Sequence, residues 1–253
     1  MKKDEEILLK TSLEILHIRK ASEIVASVLA EVENIIREGT SLKEIDSFCL
    51  DIIKKSGAES AIRGFRGFPG NVCISLNNVA AHGIPSDIKL QNGDVVTVDC
   101  AVVKNGWHGD AAKTYGVGKL SMSAQRIIRA SEEALAAGIS KAKAGNRIGD
   151  IGNAVEAVAE KHRCSVFHNF VGHGIGRGIH EDPKIYHFGE AGVGQPIVPG
   201  MVFTIEPILS LGEAETKTLA DGWSLVTVDN SLTAQFEHTL AVFSDRTEIL
   251  SDL

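Results

Sequence analysis

Gly93-Asp94-Val95-Val96-Thr97-Val98-Asp99 and Gly200-Met201-Val202-Phe203-Thr204-Ile205-Glu206 are two copies of one phrase, set 107 residues apart. Each is a glycine, a β-rich apolar run and a closing acid, the pattern of a buried strand that ends on a carboxylate. A second phrase lies upstream of each. Gly39-Thr40-Ser41-Leu42-Lys43-Glu44-Ile45 returns as Gly145-Asn146-Arg147-Ile148-Gly149-Asp150-Ile151, at an offset of 106. In each half this phrase separates two helical patterns. The first pair runs from about 4 to 37, with Leu9, Leu13, Leu16, Ile24, Val28, Val32 and Ile35 at helical spacing, and from Ser41 to about Gly57. The second pair covers about 123–143 and 149–162. Ser41 and Glu44 have the spacing of a capping box. His82-Gly83-Ile84-Pro85 and His173-Gly174-Ile175-Gly176 extend the pattern, because each sets a histidine before its half's acidic strand. Near-identical offsets predict two related halves, about 1–115 and 120–253, and a site on the pseudo-twofold axis between them. No linker or low-complexity stretch divides them. The expectation is one α+β domain over 1–253, with helices packed over a curved, mostly antiparallel sheet.

Downstream of each repeated strand lies another acid. Lys104-Asn105-Gly106 is a hairpin turn, and folding there sets Asp110 near Asp99 on neighbouring strands. Glu237, in Gln235-Phe236-Glu237-His238-Thr239, follows Glu206 by 31 residues, on an adjacent strand or one strand further away. An ionised carboxylate buried in an apolar strand needs a counter-charge. Four of them in one cleft repel strongly, and two divalent cations reverse the sign. With His173 the set is Asp99, Asp110, His173, Glu206 and Glu237, several oxygens and one imidazole, suited to Mn, Fe, Co or Zn. Two such metals lower the pKa of a bridging water and polarise a carbonyl together, the equipment of a hydrolase.

Composition narrows the partners. At 253 residues the chain buries a substantial core, and with 43% apolar and 23% charged residues it reads as soluble and globular. A formal charge of −7 does not suggest a nucleic-acid binder. Cys49, Cys73, Cys100 and Cys164 are widely spaced with no C-x-x-C, which argues against a zinc ribbon or disulfide framework and for a reducing cytosol. The N-terminus turns acidic at once, without the apolar stretch of a signal peptide, and no apolar run is long enough to span a bilayer.

Phe170-Val171-Gly172-His173-Gly174-Ile175-Gly176-Arg177-Gly178-Ile179-His180, together with Phe203-Thr204-Ile205-Glu206-Pro207 and Gln235-Phe236-Glu237-His238-Thr239, resembles the type I methionine aminopeptidases of the pita-bread fold, in their short bacterial form. The likeness runs over essentially the whole chain. It implies that Asp99 is a terminal metal ligand, that Asp110 and Glu237 bridge two metals, and that His173 and Glu206 complete the second metal's shell. Glu206 is also implied as the proton shuttle, with His180 polarising the scissile carbonyl and His82 contacting the amide nitrogen side. His17, His108, His162 and His187 are read as surface or core residues. Asn77, the Val79 carbonyl and Thr233 match the family's site for a structural monovalent cation. By correspondence the methionine pocket is formed by Ile62, Phe65, Phe68, Cys73, Ile179 and Trp223. Family members commonly carry tyrosine in place of Phe65 and Phe68, often cysteine in place of Ile62 and often phenylalanine in place of Ile179, so the departure concerns the pocket's shape and stringency.

The implied role is removal of the initiator methionine from the N-terminal peptide of nascent proteins when the second residue is small. It carries with it a cytoplasmic monomer associated with the ribosome, without nucleic acid or membrane as partner. Two other readings compete. Proline-specific aminopeptidases and dipeptidases of the same fold use the same five ligands but usually carry a sizeable N-terminal domain, for which the 81 residues before His82 leave little space. A catalytically dead binding module would have lost ligands, and none is missing here.

Overall fold

A computed structural model describes residues 7–252. Helix α1 (Ser12–Val32) starts where Thr11 accepts the Glu14 N–H and Glu14 accepts the Thr11 N–H in return, a capping box. The first helix is therefore shorter than the expected 4–37. Residues 4–6 lie outside the described residues, 7–11 are not helical, and a 3-10 turn at Glu33–Ile35 closes the helix before Gly39 turns with φ +88°. The buried stripe differs too. Ile15, Ile18, Ala21, Val25, Val28 and Val32 face inward, whereas Leu9, Leu13 and Leu16 stay exposed. Ile15 and Ile18 choose that face because they pack against Val202, Ala241 and Leu250 from the far end of the chain. Beside them Arg19 pairs with Glu248, and the buried Lys10 donates to Glu181 at 2.6 Å. Helix α2 (Leu42–Lys55) carries the Ser41/Glu44 capping box that the sequence predicts.

Five strands follow: β1 (Glu59–Ser60), β2 (Cys73–Leu76), β3 (Val79–Ala81), β4 (Val95–Lys104) and β5 (Trp107–Gly116). The second half opens on α3 (Met122–Lys141) and α4 (Ile148–Lys161) and continues with β6 (Ser165–Val166), β7 (Gly172–Gly174), β8 (Glu181–Ile185), β9 (Val202–Ile205) and β10 (Ile208–Ser210). Then come β11 (Thr216–Thr218), β12 (Leu225–Thr227), β13 (Thr233–Gln235), β14 (His238–Val242) and β15 (Thr247–Ile249). Among the described residues the strand pairings are antiparallel, in sheets ordered β1-β4-β2 with β5 on β4, β13-β10-β6, β11-β12-β3 and β15-β14-β9-β7-β8.

The repeat is visible in the register. β4 and β5 form one hairpin through Asn105 and Gly106, both with positive φ as a type I′ turn requires. Its counterpart is the same ladder in two pieces: β9 pairs with β14 (Ile205 opposite His238) and β10 with β13 (Ile208 opposite Gln235). The break falls at Glu206-Pro207, where proline has no N–H to give a ladder. Thr114 Oγ1 donates to the Gln235 carbonyl at 2.7 Å and accepts its N–H at 3.0 Å. Thr239 Oγ1 does the same to Asp110, donating at 2.7 Å and accepting at 3.3 Å. Between these two images the Glu237 N–H donates to the Ala112 carbonyl at 2.9 Å. The pseudo-twofold axis passes there. The histidine phrases, by contrast, are not images of each other. His173 lies in β7, beside β9, whereas β4 is flanked by β1, β2 and β5, and His82 follows β3, which pairs with none of them.

Helices α1 and α2 cover β4 and β5 through Val25, Val28, Ile45, Cys49, Val98, Cys100 and Ala111. A Cβ on Gly109 would stand 2.4 Å from the Ser22 nitrogen, so α1 presses directly on the strand that carries Asp110. Helices α3 and α4 cover β10 and β13 through Ile127, Ala134, Val155, Leu209 and Ala234.

Candidate metal centre

Register decides where the acids go. Asp99 stands opposite Ala112 and Asp110 opposite Ala101, so the two carboxylates share one face of the β4–β5 hairpin, one diagonal step apart. Glu206 and Glu237 fall directly opposite each other in the broken ladder, on adjacent segments, which settles the choice left open by their spacing. His173 arrives from β7, where a register shift between His173 and Gly174 re-aims the side chain. A Cβ on Gly174 would lie 2.2 Å from the Asp182 carbonyl and one on Gly176 would lie 2.5 Å from Lys10 Cε. Both glycines therefore serve close approach.

Ligand atoms of Asp110, His173 and Glu237 lie within 4.8 Å of one another. His173 Nε2 is 3.8 Å from Asp110 Oδ2 and 3.5 Å from Glu206 Oε1. Its Nδ1 is paired with the Gly174 carbonyl at 3.0 Å, which places the ring proton there and leaves the Nε2 lone pair facing the acids. Burial pushes the Asp99 carboxyl up to about 7 and Glu206 up to about 8. Asp110 and Glu237 are held well above the usual carboxylate range by burial first and by the neighbouring acids second. Burial also lowers His173 to about 3, so no cation comes from the imidazole. Asp110 Oδ1 and Glu237 Oε1 are buried without a hydrogen-bond partner. Two orphaned carboxylate oxygens, an inward lone pair and a crowd of acids fit a divalent cation.

One residue of this neighbourhood is not legible in the sequence. The Glu206 N–H donates to His187 Nε2 at 3.0 Å, so this histidine, read as a surface or core residue, touches the segment of a candidate ligand. No spacing rule links it to Glu206, and its only signal is a histidine just past the end of a strand.

Near the cluster the aromatic residues expected in the pocket meet the two flanking histidines in ring contacts. His180 packs against His173 with ring centroids 4.4 Å apart, and Phe65 against His180 at 5.2 Å. Phe68 meets Trp223 edge-on at 5.2 Å, and His82, at a positive φ of 55°, faces Trp223 at 6.4 Å and Phe170 at 6.3 Å. Cys73 is the register partner of Asp99. Ile62 and Ile179 are half-buried on the same loops as Phe65 and His180. The loop from 61 to 70 is tied at both ends. Asp46 on α2 accepts the Asn71 and Val72 N–H groups at 2.6 and 3.1 Å and the Asn71 amide at 2.6 Å, while Ser60 Oγ donates to the Asn71 carbonyl at 2.6 Å. Elsewhere, Thr233 Oγ1 hydrogen-bonds the Asn77 and Val79 carbonyls at 3.1 and 3.0 Å, bringing the expected monovalent-cation residues together. The Asn77 side chain is already engaged by Asp94 and Val95. A cavity of about 720 Å³ lined by Ile148, Lys184, Tyr186, Phe188 and Val193 contains none of the candidate residues.

Comparison with known proteins follows the same lines. The model of metallopeptidase family M24 matches residues 17–243. A methionine aminopeptidase of Clostridium perfringens is 43% identical over 97% of this chain and 98% of its own length. That of Escherichia coli K12 is 40% identical over 97% of this chain and 94% of its own length. Among solved structures, the methionine aminopeptidase of Thermotoga maritima superposes with a TM-score of 0.96 at 36% identity, covering 98% of this chain and 100% of the other. A prolidase from Pyrococcus furiosus shares the fold at a TM-score of 0.78 and 23% identity, and only 65% of its length is covered.

Proposed function

We infer the activity from one premise: this chain belongs to metallopeptidase family M24. It is a metallo-aminopeptidase of the methionine-releasing kind, built on the pita-bread fold. The observation that carries the reading is the convergence of Asp110, His173, Glu206 and Glu237, with two carboxylate oxygens orphaned, beside the packed rings of Phe65, His180, Phe68 and Trp223. In this proposal two divalent ions, drawn from Mn, Fe, Co and Zn, are held by Asp99, Asp110, His173, Glu206 and Glu237, and a monovalent cation sits by Asn77, Val79 and Thr233. When bound, the divalent ions supply a nucleophilic water at neutral pH and polarise the peptide carbonyl.

The chain's own groups do the rest. The methionine side chain of an N-terminal peptide enters among Ile62, Phe65, Phe68, Cys73, Ile179 and Trp223, none of which demands a polar partner that a thioether lacks. His180 lies on the carbonyl side and His82 on the amide nitrogen side. Glu206, held by the Thr204 hydroxyl at 2.8 Å, takes a proton from the attacking water and delivers it to the departing amine as the C–N bond breaks. The substrates are new chains whose second residue is small. The 1–253 chain works as a single catalytic domain of two halves, a cytoplasmic monomer near the ribosome. Among the described residues no helix is long and apolar enough to cross a membrane.

The test is release of methionine from Met-Ala-Ser and of alanine from Ala-Pro-Ala, with chelated and Mn- or Co-reconstituted protein. Metal-dependent cleavage of the first alone is the expected result; cleavage of the second alone would point to a proline-specific enzyme. Silence on both with metal bound would point to a binding module. Glu206→Gln should abolish turnover, whereas His82→Ala should slow it roughly 10²-fold with the metals still bound. An active Glu206→Gln protein with unchanged metal content would refute the proton-shuttle role.

A further inference from the structure

His187 is 1% exposed and has no part in the roles assigned above. Its Nε2 accepts the Glu206 N–H at 3.0 Å, so the ring proton sits on Nδ1. That contact falls where the sheet offers no ladder of its own. Glu206 occupies the break between β9 and β10, just ahead of Pro207. The imidazole therefore holds the main chain of a residue whose carboxylate oxygen Oε1 stands 3.5 Å from His173 Nε2. The Thr204 hydroxyl holds the Glu206 carboxylate, and also accepts the His173 N–H at 3.1 Å, but neither bond fixes the main-chain N–H of Glu206.

We propose that His187 is a positioning residue for the metal centre: its neutral ring fixes the Glu206 main-chain N–H in the break between β9 and β10, so that the Glu206 and His173 side chains meet one divalent ion with the spacing it needs. The proposal rests on the reading of His173 and Glu206 as ligands. A histidine that merely filled core volume would owe nothing to which ring nitrogen faces Glu206, and this difference can be measured.

His187→Gln places an amide oxygen where Nε2 stands and keeps an acceptor for the Glu206 N–H. His187→Asn reaches only as far as Nδ1, so it loses the acceptor for the Glu206 N–H. Both are polar amides and differ only in reach. Co(II) is titrated calorimetrically into the chelated proteins, the metal-free melting temperature is read for each, and turnover of Met-Ala-Ser is followed. The expected result is Co(II) affinity within about threefold of the parent for Gln and about ten- to a hundredfold weaker for Asn. The Asn variant should lose kcat with KM little changed, and the two metal-free melting temperatures should agree. Equal Co(II) affinity in the two variants overturns the proposal, and so does an affinity loss that merely follows a loss of metal-free stability. If the Asn variant does not fold, the Gln variant decides: retained affinity supports the assignment and lost affinity overturns it. Absence of Co(II) binding in the parent protein would instead remove the metal-centre reading itself.

Discussion

The carboxylates of Asp110 and Glu237 face one another's charge with a neutral imidazole as neighbour, and this sets how the protein responds to pH without metal. Their folded-state affinity for protons, like that of Asp99 at about 7 and Glu206 at about 8, is above the unfolded value. The folded state therefore binds more protons than the unfolded one, and stability falls as pH rises through these values. The buried histidines act in the opposite direction, but above about 6.5 they are neutral in both states and drop out. Chelated protein should thus melt at a progressively lower temperature between pH 6.5 and 8.5, and saturating Mn(II) should flatten or reverse the slope, as scanning calorimetry in the two conditions would show. A flat profile without metal would contradict the crowding of acids. At this scale most of the site is legible in the sequence, because an acid closing an apolar strand is anomalous wherever it stands. His187 was not legible because its partner is a main-chain N–H, which belongs to every residue type except proline and marks none.

Elements bring these residues together through register. The Asn105-Gly106 turn could be read from two residues, and it fixed Asp99 and Asp110 on one face. The start of α1 could not be read from periodicity, because Leu9, Leu13 and Leu16 continue the apolar pattern while Thr11 caps the helix between them. Which stripe is buried depends on Val202, Ala241 and Leu250, which no local window contains. The loop from 61 to 70 shows the same limit. Phe65 and Phe68 could be assigned by correspondence, but the group that holds their loop is Asp46, 25 residues before Asn71. Removing it frees the Asn71 main chain and amide and loosens the loop that carries Phe65 and Phe68 without touching the acid cluster. Asp46→Ala should raise KM for Met-Ala-Ser about tenfold, leave Co(II) affinity within about twofold, and cost roughly 1–3 kcal/mol of stability. A change in metal affinity as large as that in KM would mean that the loop and the cluster are coupled.

The whole molecule is symmetric in its scaffold and asymmetric in its site. Asp99 and Glu206 are images, but by the same register Asp110 corresponds to Gln235, and Glu237 to Ala112. The offsets in the sequence reveal the first pair and hide the second, because a duplicated strand keeps its pattern while single positions diverge. Thr114 and Thr239 test this. Each makes the same pair of bonds across the axis, so Thr114→Val and Thr239→Val should lose similar stability, about 1–3 kcal/mol in urea melts. Only Thr239→Val should weaken metal binding, because its partner is Asp110 and that of Thr114 is Gln235. Equal losses of affinity would show that the scaffold transmits strain to the site from either side. The packing of the start of α1 against the end of the chain has a consequence for synthesis. Arg19 and Glu248 are 229 residues apart. At about 5–20 residues per second, Ile15 and Ile18 emerge from the ribosome roughly 10–50 s before the strand and tail that cover them. During that interval the apolar start of the first helix is bare, and the growing chain carries an unburied stripe until its last strands are made.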